Sequence, residues 1–554
     1  MKNLLWSVPA IGLLLLSSSC QKLSEEGEEG EAPDPAEVAA GERLFLETRF
    51  AQFFSQNCGG DVNAVLSSGD PALDDTVTVT GALRGPFKGK SMNCRACHLV
   101  DEHAASPLGG VRAYADFARR SPIPDRGDGR TLTPRNSPTL VDSTVPRSAP
   151  LFLHFDGEFA TLEDLARGTF TGRNFGWLPA EQSQAVAHLA AVIRGDNGSG
   201  DLAAQFGGLS YAVLLDGTNP GIPPELVIPS AFRIDASTAT DQQIFDAVAA
   251  LVAAYVDSLR FARSPVDAFS GSPYDVFLAK NGLPVRPDAG ETDLDYGRRL
   301  RGLLAGLAAP VFVTPTDGSF TLHAQDFRFG PREFEGLKVF LAEPSSIPPS
   351  GSELAAGKIG SCISCHAPPN FSDFKFHNIG AAQNEYDAIH GTGQFAALVG
   401  ALPTLASRTD ADLPPTGSNP SGTGRFLDVP RASAPGRTDL GLWNVFANPH
   451  VPGPQAALAS LLGASSPPSN ADLAGTVARF KTPSLRDLGQ SAPYFHTGQK
   501  DSTEDVIRHY LAFSVLARAG QVPNAAPELS GIAVLDADVD ALRAFLRSLN
   551  EDYQ

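Results

Sequence analysis

The chain has 554 residues, a length that predicts two to four domains. Hydrophobic residues make up 42% and charged residues 19% of it, enough apolar content for a buried core and too much for broad disorder. A formal net charge of −19 opposes nucleic acid as a partner and suits a positively charged protein, although plain solubility asks for the same charge.

Lys2 precedes an apolar run from Leu4 to Leu16 that is too short to span a membrane as a stable helix. The run ends in Ser17-Ser18-Ser19-Cys20. That pattern resembles a bacterial lipoprotein signal over residues 1–20, with Cys20 lipidated after cleavage, although Leu16 sits one place further from the cysteine than is usual. An ordinary secretory signal with a chance cysteine is the alternative. Both expect export to the periplasm, and the first adds a lipid anchor in a membrane. Glu25-Glu26-Gly27-Glu28-Glu29-Gly30-Glu31 and the Pro-containing segment after it then read as a solvated acidic tether over 21–38. Forty-four prolines and 53 glycines predict many loops, including a long one from about 400 to 430. Cys58 has no evident partner and is expected to be buried or free, without a functional role.

Two short stretches organise the rest. Asn93-Cys94-Arg95-Ala96-Cys97-His98 and Ser361-Cys362-Ile363-Ser364-Cys365-His366 each contain C-x-x-C-H, the signature of covalent c-type haem attachment. In such a motif the cysteines add to the haem vinyl groups and the histidine becomes an axial ligand. The two copies hold four of the six cysteines. A zinc site or a redox dithiol is the alternative; it is disfavoured because His follows directly both times and neither motif has βαβ context. The cofactor expectation is therefore two covalently bound haem c groups.

The flanks of the motifs repeat. Gly41-Glu42-Arg43-Leu44-Phe45 and Gly336-Leu337-Lys338-Val339-Phe340 share a Gly-x-x-x-Phe frame ahead of each motif. Downstream, His154-Phe155-Asp156-Gly157 with Thr161-Leu162-Glu163-Asp164-Leu165 matches Phe495-His496-Thr497-Gly498 with Ser502-Thr503-Glu504-Asp505-Val506, every position shifted by 341. This is duplication of a domain, not a solenoid repeat. The pattern predicts a mainly α protein: two cytochrome c-like haem domains in tandem, 39–197 and 306–554, separated by a largely helical insertion over 198–305. Pro179 is expected to open a helix with Val186, Leu189 and Ile193 on one face, and Val539, Leu542, Leu546 and Leu549 mark its counterpart at the C-terminus. In the insertion, Thr240-x-x-Gln243 is a capping box for a helix whose stripe is Ile244, Val248, Leu251, Tyr255 and Leu259.

With Arg135-Asn136-Ser137-Pro138-Thr139, Phe371-Ser372-Asp373-Phe374, Phe376-His377-Asn378-x-Gly380, Phe480-Lys481-Thr482-Pro483-Ser484-Leu485-Arg486 and Ala492-Pro493-Tyr494-Phe495-His496-Thr497-Gly498 in this order, the chain resembles the bacterial diheme cytochrome c peroxidase family, which includes MauG of methylamine utilisation. The resemblance covers roughly 39–195 and 325–554. It implies that the haem held by His98 reacts with hydrogen peroxide and that the haem held by His366 passes electrons in. It further implies a small donor, a cytochrome c or a cupredoxin, and allows a homodimer. In the family the second haem takes a further ligand shortly after the Tyr-Phe-His-x-Gly stretch: Met in ordinary members, Tyr in MauG-like ones. Here that position is Tyr510. The chain has only two methionines, Met1 and Met92, the first lost with the signal and the second two residues from Cys94. Val506 and Tyr510 share a helix face, and an axial tyrosine is a known haem option. A core tyrosine with His509 or another histidine as ligand is the alternative.

At the first haem the chain departs from the pattern. The family's distal Glu, which moves the peroxide proton, falls on Phe175, its distal Gln on Leu165, and the aromatic between the haems on Phe155, where Trp is usual. Gly172-Arg173-Asn174-Phe175-Gly176-Trp177 has no carboxylate, so Arg173, Asn174 and His154 are the polar candidates. An apolar distal pocket resembles instead the diheme rubber oxygenases, which use dioxygen on an apolar polymer. The family's Ca²⁺ site maps to the Asn136 side chain and the carbonyls of Ser491 and Pro493, hard donors that suit the ion; a turn role for Asn136 serves equally well. The expected activity is thus peroxide reduction by an exported oxidoreductase. The alternatives are a diheme oxygenase acting on an apolar substrate, or a non-enzymatic membrane-tethered electron carrier.

Overall fold

In the computed structural model the chain folds around helices that are each fixed by a local signal. The structure describes residues 34–66, 76–78, 81–83, 93, 94, 97, 98, 120, 121, 123–321 and 323–552. The stretch read as a signal peptide with Cys20, nearly all of the stretch read as an acidic tether, and Met92 lie outside them. Among the described residues no helix is long and apolar enough to cross a membrane.

The duplication read from the sequence is repeated in the backbone. Thr161 caps the helix Leu162–Phe170 by accepting the Asp164 N–H (3.1 Å), and Ser502 caps Thr503–Arg518 by accepting the Asp505 N–H (3.1 Å). A side-chain oxygen at this position satisfies a helix N–H that has no partner in the helix itself. Just upstream, His154 and Phe495 both take positive φ, as do Gly157 and Gly498. The bridge Leu153–Phe159 recurs as Tyr494–Lys500. A non-glycine residue with positive φ is uncommon, so the same excursion at both ends of the 341-residue shift marks one inherited loop.

The paired Gly-x-x-x-Phe frames are explained by close helix packing. Gly336 lies on Pro331–Leu341, where an added Cβ would stand 1.9 Å from the Ala541 carbonyl oxygen on the C-terminal helix Asp536–Arg547. Phe340 packs against Phe545 one turn on, their rings 5.0 Å apart. Gly41 on Ala36–Phe45 repeats the contact, with a Cβ 2.1 Å from the Leu251 carbonyl oxygen, and Phe45 meets Tyr255 at 5.1 Å. Leu251 and Tyr255 lie on Asp241–Ser258, the helix that Thr240 and Gln243 begin with a reciprocal cap.

Residues 198–305, expected as an insertion, therefore do not pack as a body of their own. Ile244, Val248 and Val252 join one apolar core with Leu44, Phe170 and Leu189. Tyr274, Phe277, Tyr296 and Leu300 join a second with Leu337, Phe340 and Phe545. The counterpart of the C-terminal helix is Asp241–Ser258, because it is this helix, and not Gln182–Gly195, that takes the glycine contact. Sheet is slight: Thr76–Thr78 pairs with Gly81–Leu83, and Phe376–His377 pairs antiparallel with Phe480–Lys481, Phe376 opposite Lys481. The second pair ties the segment after the second C-x-x-C-H motif to the Lys-Thr-Pro-Ser-Leu-Arg stretch.

Gly336→Ala is expected to lower the free energy of unfolding by about 3 kcal/mol or more, the upper end for overpacking, because a carbonyl on a packed helix cannot step aside. Gly302→Ala, on Asp293–Ala305 with open space around it, should instead gain about 0.5–1 kcal/mol. Urea denaturation midpoints of the two variants check both signs.

Candidate haem-binding sites

The second motif is built by a tight local turn. Ser361 takes the left-handed conformation, Cys362–Ser364 form a single 3₁₀ turn, and the His366 N–H donates to the Cys362 carbonyl (2.7 Å). The two thiols and the imidazole thereby come to one side of the chain. The His366 Nδ1 is 2.9 Å from the Phe371 carbonyl. That bond fixes the tautomer and leaves Nε2 as the free ligand atom. The first motif repeats the closure, with the His98 N–H donating to the Cys94 carbonyl (3.0 Å). The His98 Nδ1 is buried, with the Pro138 backbone beside the ring. Burial, with His154 nearby, pushes the His98 imidazole down to about 4, so it is the neutral, ligating form.

Burial also pushes all four thiols up, Cys97 to about 11 and Cys362 to about 12.

A cavity of about 290 Å³ opens at the second motif, with Cys362, Cys365, His366 and Tyr510 on its wall. Phe340, Ile507, Leu529, Ile532 and Leu542 make the wall largely apolar. Tyr510 reaches it from Thr503–Arg518, and its hydroxyl makes no hydrogen bond to any described residue. Burial and then the facing thiols of Cys365 and Cys362 push this phenol well above its ordinary range. The hydroxyl belongs to the wall that Cys362 and Cys365 also line. His509, the other candidate ligand, turns away. Its Nε2 is 2.9 Å from the Ile379 carbonyl and its ring stacks on Phe513 at 4.3 Å. The donors present, an imidazole and a phenol facing each other across an apolar space, fit a haem.

The same cavity runs on to Asn136, Pro138, His154, Phe155 and His496. Phe155 and His496 occupy matching places in the two halves and face each other, ring centroids 6.3 Å apart. His496 stacks flat on Phe480 at 3.5 Å, and burial pushes its imidazole down to about 3. Arg135 anchors this wall. It bonds Asp156 through one nitrogen (2.6 Å) and Asp439 through two others (2.5 and 2.9 Å), with both acids almost wholly buried.

The expected distal residues of the first haem fall in different places. Arg173 is committed to Asp128 (2.8 Å) and to the Pro124 and Arg130 carbonyls. Phe175 packs on Phe170 at 5.3 Å, within the core that Cys94 also touches. His154 lines the cavity, its Nδ1 3.1 Å from Glu158. Of the three, only His154 reaches the cavity. Asn136, Ser491 and Pro493 come together on its wall. The Asn136 N–H donates to the His496 carbonyl (2.7 Å), and its side-chain amide N–H donates to the Pro493 carbonyl. A half-turn of that amide sets Oδ1 beside the Pro493 oxygen, the pairing a hard cation would hold. Cys58 makes one weak contact, to the Ser55 carbonyl.

No protein-family model matches the chain. The cytochrome-c peroxidase IdrP2 of Denitromonas iodatirespirans is 25% identical over 200 residues, 36% of this chain and 38% of that protein. The chain resembles the bacterial diheme cytochrome c peroxidase and MauG family. The match spans little more than a third of that curated relative. Similar solved structures include the diheme peroxidase BthA from Burkholderia thailandensis, at 17% identity, 94% of this chain and 87% of that one, with a TM-score of 0.42. Another is a MauG-like protein associated with microbial copper homeostasis, at 15% identity, 94% and 91% coverage, with a TM-score of 0.38. The expectation of a mainly α chain is met, with two short two-stranded sheets among the described residues.

Glu158 and Thr169 are the residues that the sequence reading passed over. Glu158 stands four places after His154, a spacing that has no signature outside a helix. Thr169 is the counterpart of Tyr510 across the 341-residue shift and was open to view in the alignment of the halves.

Proposed function

We propose that the protein is an exported diheme c-type oxidoreductase that reduces hydrogen peroxide at the haem held by Cys94, Cys97 and His98. Electrons arrive through the haem held by Cys362, Cys365, His366 and Tyr510, from a small cytochrome or cupredoxin. When bound, the haems supply the iron at which peroxide is reduced and the store from which electrons come. The two haem domains run from about 39 to 259 and from about 270 to 554, each closed by the helix that packs on its Gly-x-x-x-Phe frame.

The observation that carries this reading is an asymmetry within a duplicated frame. Tyr510 lines the second cavity, and its counterpart across the 341-residue shift is Thr169, on Leu162–Phe170, which has no phenol to offer. That difference supports a second haem held on both faces and a first haem open to a small molecule. His154 with Glu158 forms a hydrogen-bonded acid–base pair near His98, the polar pair best placed to hold a proton on that side. Phe155 and His496 fill the space between the halves. Ca²⁺ held by the Asn136 side chain and the carbonyls of Ser491 and Pro493 would brace the same wall. A lipid on Cys20 would tether the protein to a periplasmic membrane.

Purified holoprotein, prereduced and supplied with Ca²⁺ and a reduced donor, should turn over peroxide. His154→Ala should lower the rate by about 10²-fold, the low end for loss of a positioned acid–base group. No turnover under any of these conditions would defeat the reading. The aromatic wall of Phe50, Phe170 and Phe175 favours a second reading, in which the first site uses dioxygen on an apolar substrate. A resting visible spectrum that changes when dioxygen is removed would select it.

A further inference from the structure

Two cations on the wall of the second motif's cavity make no ion pair with the described residues, although Asp142 and Glu528 also line it. Arg147 donates from Nε to the Val145 carbonyl (2.9 Å) and from a terminal nitrogen to the Ser143 carbonyl (2.6 Å), and its guanidinium lies 3.7 Å over the Phe374 ring. Lys481 donates from Nζ to the Phe152 carbonyl (2.8 Å). Both line the cavity that holds Cys362, Cys365, His366 and Tyr510, which is why each keeps some accessible surface. Neither makes an ion pair with a described residue. The acids that act on them are already engaged: Asp142 by Arg263 (3.0 Å) and Arg260 (3.5 Å), Asp156 by Arg135 (2.6 Å).

The arrangement works against both charges. Burial, and next the repulsion of Arg147, pushes Lys481 down to about 7, while burial and Arg260 push Arg147 down to about 10. Buried cations are kept where an anion meets them. A haem in this cavity brings its own anions, two propionate carboxylates. A guanidinium offers a carboxylate a planar fork, and an ammonium offers a mobile point charge.

We propose that Arg147 and Lys481 clamp a propionate of the haem seated at the second motif. The proposal rests on the reading that Cys362, Cys365 and His366 hold a haem there. One arm of the clamp comes from each half of the chain. Arg147 stands seven residues before His154, and Lys481 sits on the strand whose N–H donates to the Phe155 carbonyl (2.7 Å). The second haem is thereby fixed to the first half as well as to its own. A cation at a propionate stabilises the reduced iron, so losing one lowers the midpoint potential.

The test is spectropotentiometry of the holoprotein and of its Arg147→Gln, Lys481→Gln and Arg147→Lys variants, with haems counted by intact mass on the same samples. The expected result is two haems in each protein, a lower second-haem potential in both Gln variants, an unmoved first-haem potential, and recovery in Arg147→Lys. Two haems with unmoved potentials would overturn the clamp alone; fewer than two haems in the wild type would overturn the haem reading itself. A wild-type potential that moves with added chloride or acetate, with that response lost in the Gln variants, would mean that the pair holds an external anion and would also overturn the clamp. Infrared spectra of wild-type protein carrying carboxylate-labelled haem decide the matter even if a variant drops its haem. One propionate is expected to stay ionised at pH values where a solvent-exposed propionate protonates; two propionates that protonate normally would contradict the proposal.

Discussion

Replacing Tyr510 by Met is expected to raise the midpoint potential of the second haem by a sizeable part of the ~0.8 V that axial ligands span. A phenolate is an anionic oxygen donor and favours ferric iron, whereas a thioether is neutral and soft and favours ferrous iron. The Ser502 cap starts the helix that carries Tyr510, and Ile507 and Leu511 hold that helix on the second core. Tyr510→Phe separates ligation from packing. The hydroxyl has no hydrogen-bond partner among the described residues, so its removal should cost under about 1 kcal/mol of stability, yet the potential should still rise and the ferric spectrum should change. A core tyrosine predicts the reverse: unchanged potential and spectrum in both variants. Optical redox titration of the three holoproteins reads the difference.

Arg135→Ala should produce the largest loss of stability, about 3–5 kcal/mol, the cost of breaking a buried ion pair by removing one partner. Two acids depend on this one side chain. Burial raises Asp439, and Arg135 overrides that and holds it below its ordinary range. At Asp156 burial prevails even with Arg135 present, and the carboxyl is raised. Without the guanidinium both carboxyls would be forced up together. Arg135→Lys should recover only part of the loss, because a single ammonium cannot reproduce three bonds to two acids. Chemical denaturation at neutral pH measures both variants. Since Arg135 adjoins Asn136, whose N–H holds the His496 carbonyl, the Ala variant should also loosen the wall between the two sites.

Local and repeated features were legible in the sequence. The C-x-x-C-H turns, the repeat that contains Thr161 and Ser502, the Thr240–Gln243 capping box and the Gly-x-x-x-Phe frames are each written within a few residues. What those glycines touch was not legible. Gly41 meets Leu251 across some 210 residues, and no periodicity reveals which distant helix comes close. For that reason Asp241–Ser258 read as part of an insertion when it packs as the closing helix of the first half. Choosing between His509 and Tyr510 needed the structure as well. They are neighbours on one helix, both flanked by apolar residues, and only the carbonyl of Ile379 shows which of them is engaged. Arg173 read as a candidate because its partner Asp128 is 45 residues away. Arg147 carried no motif, and the motif that contains Lys481 did not reveal its role, since the meaning of both lies in the ion pairs they do not make with the described residues.

The central claim is that the two C-x-x-C-H turns each hold a haem through thioether bonds. Intact mass and the pyridine haemochrome spectrum of the purified holoprotein test it in one sample. Two haems retained under denaturing conditions, with the spectrum of vinyl-saturated haem, are predicted. Haem that is extracted by acid and organic solvent, or a single haem per chain, would contradict the account.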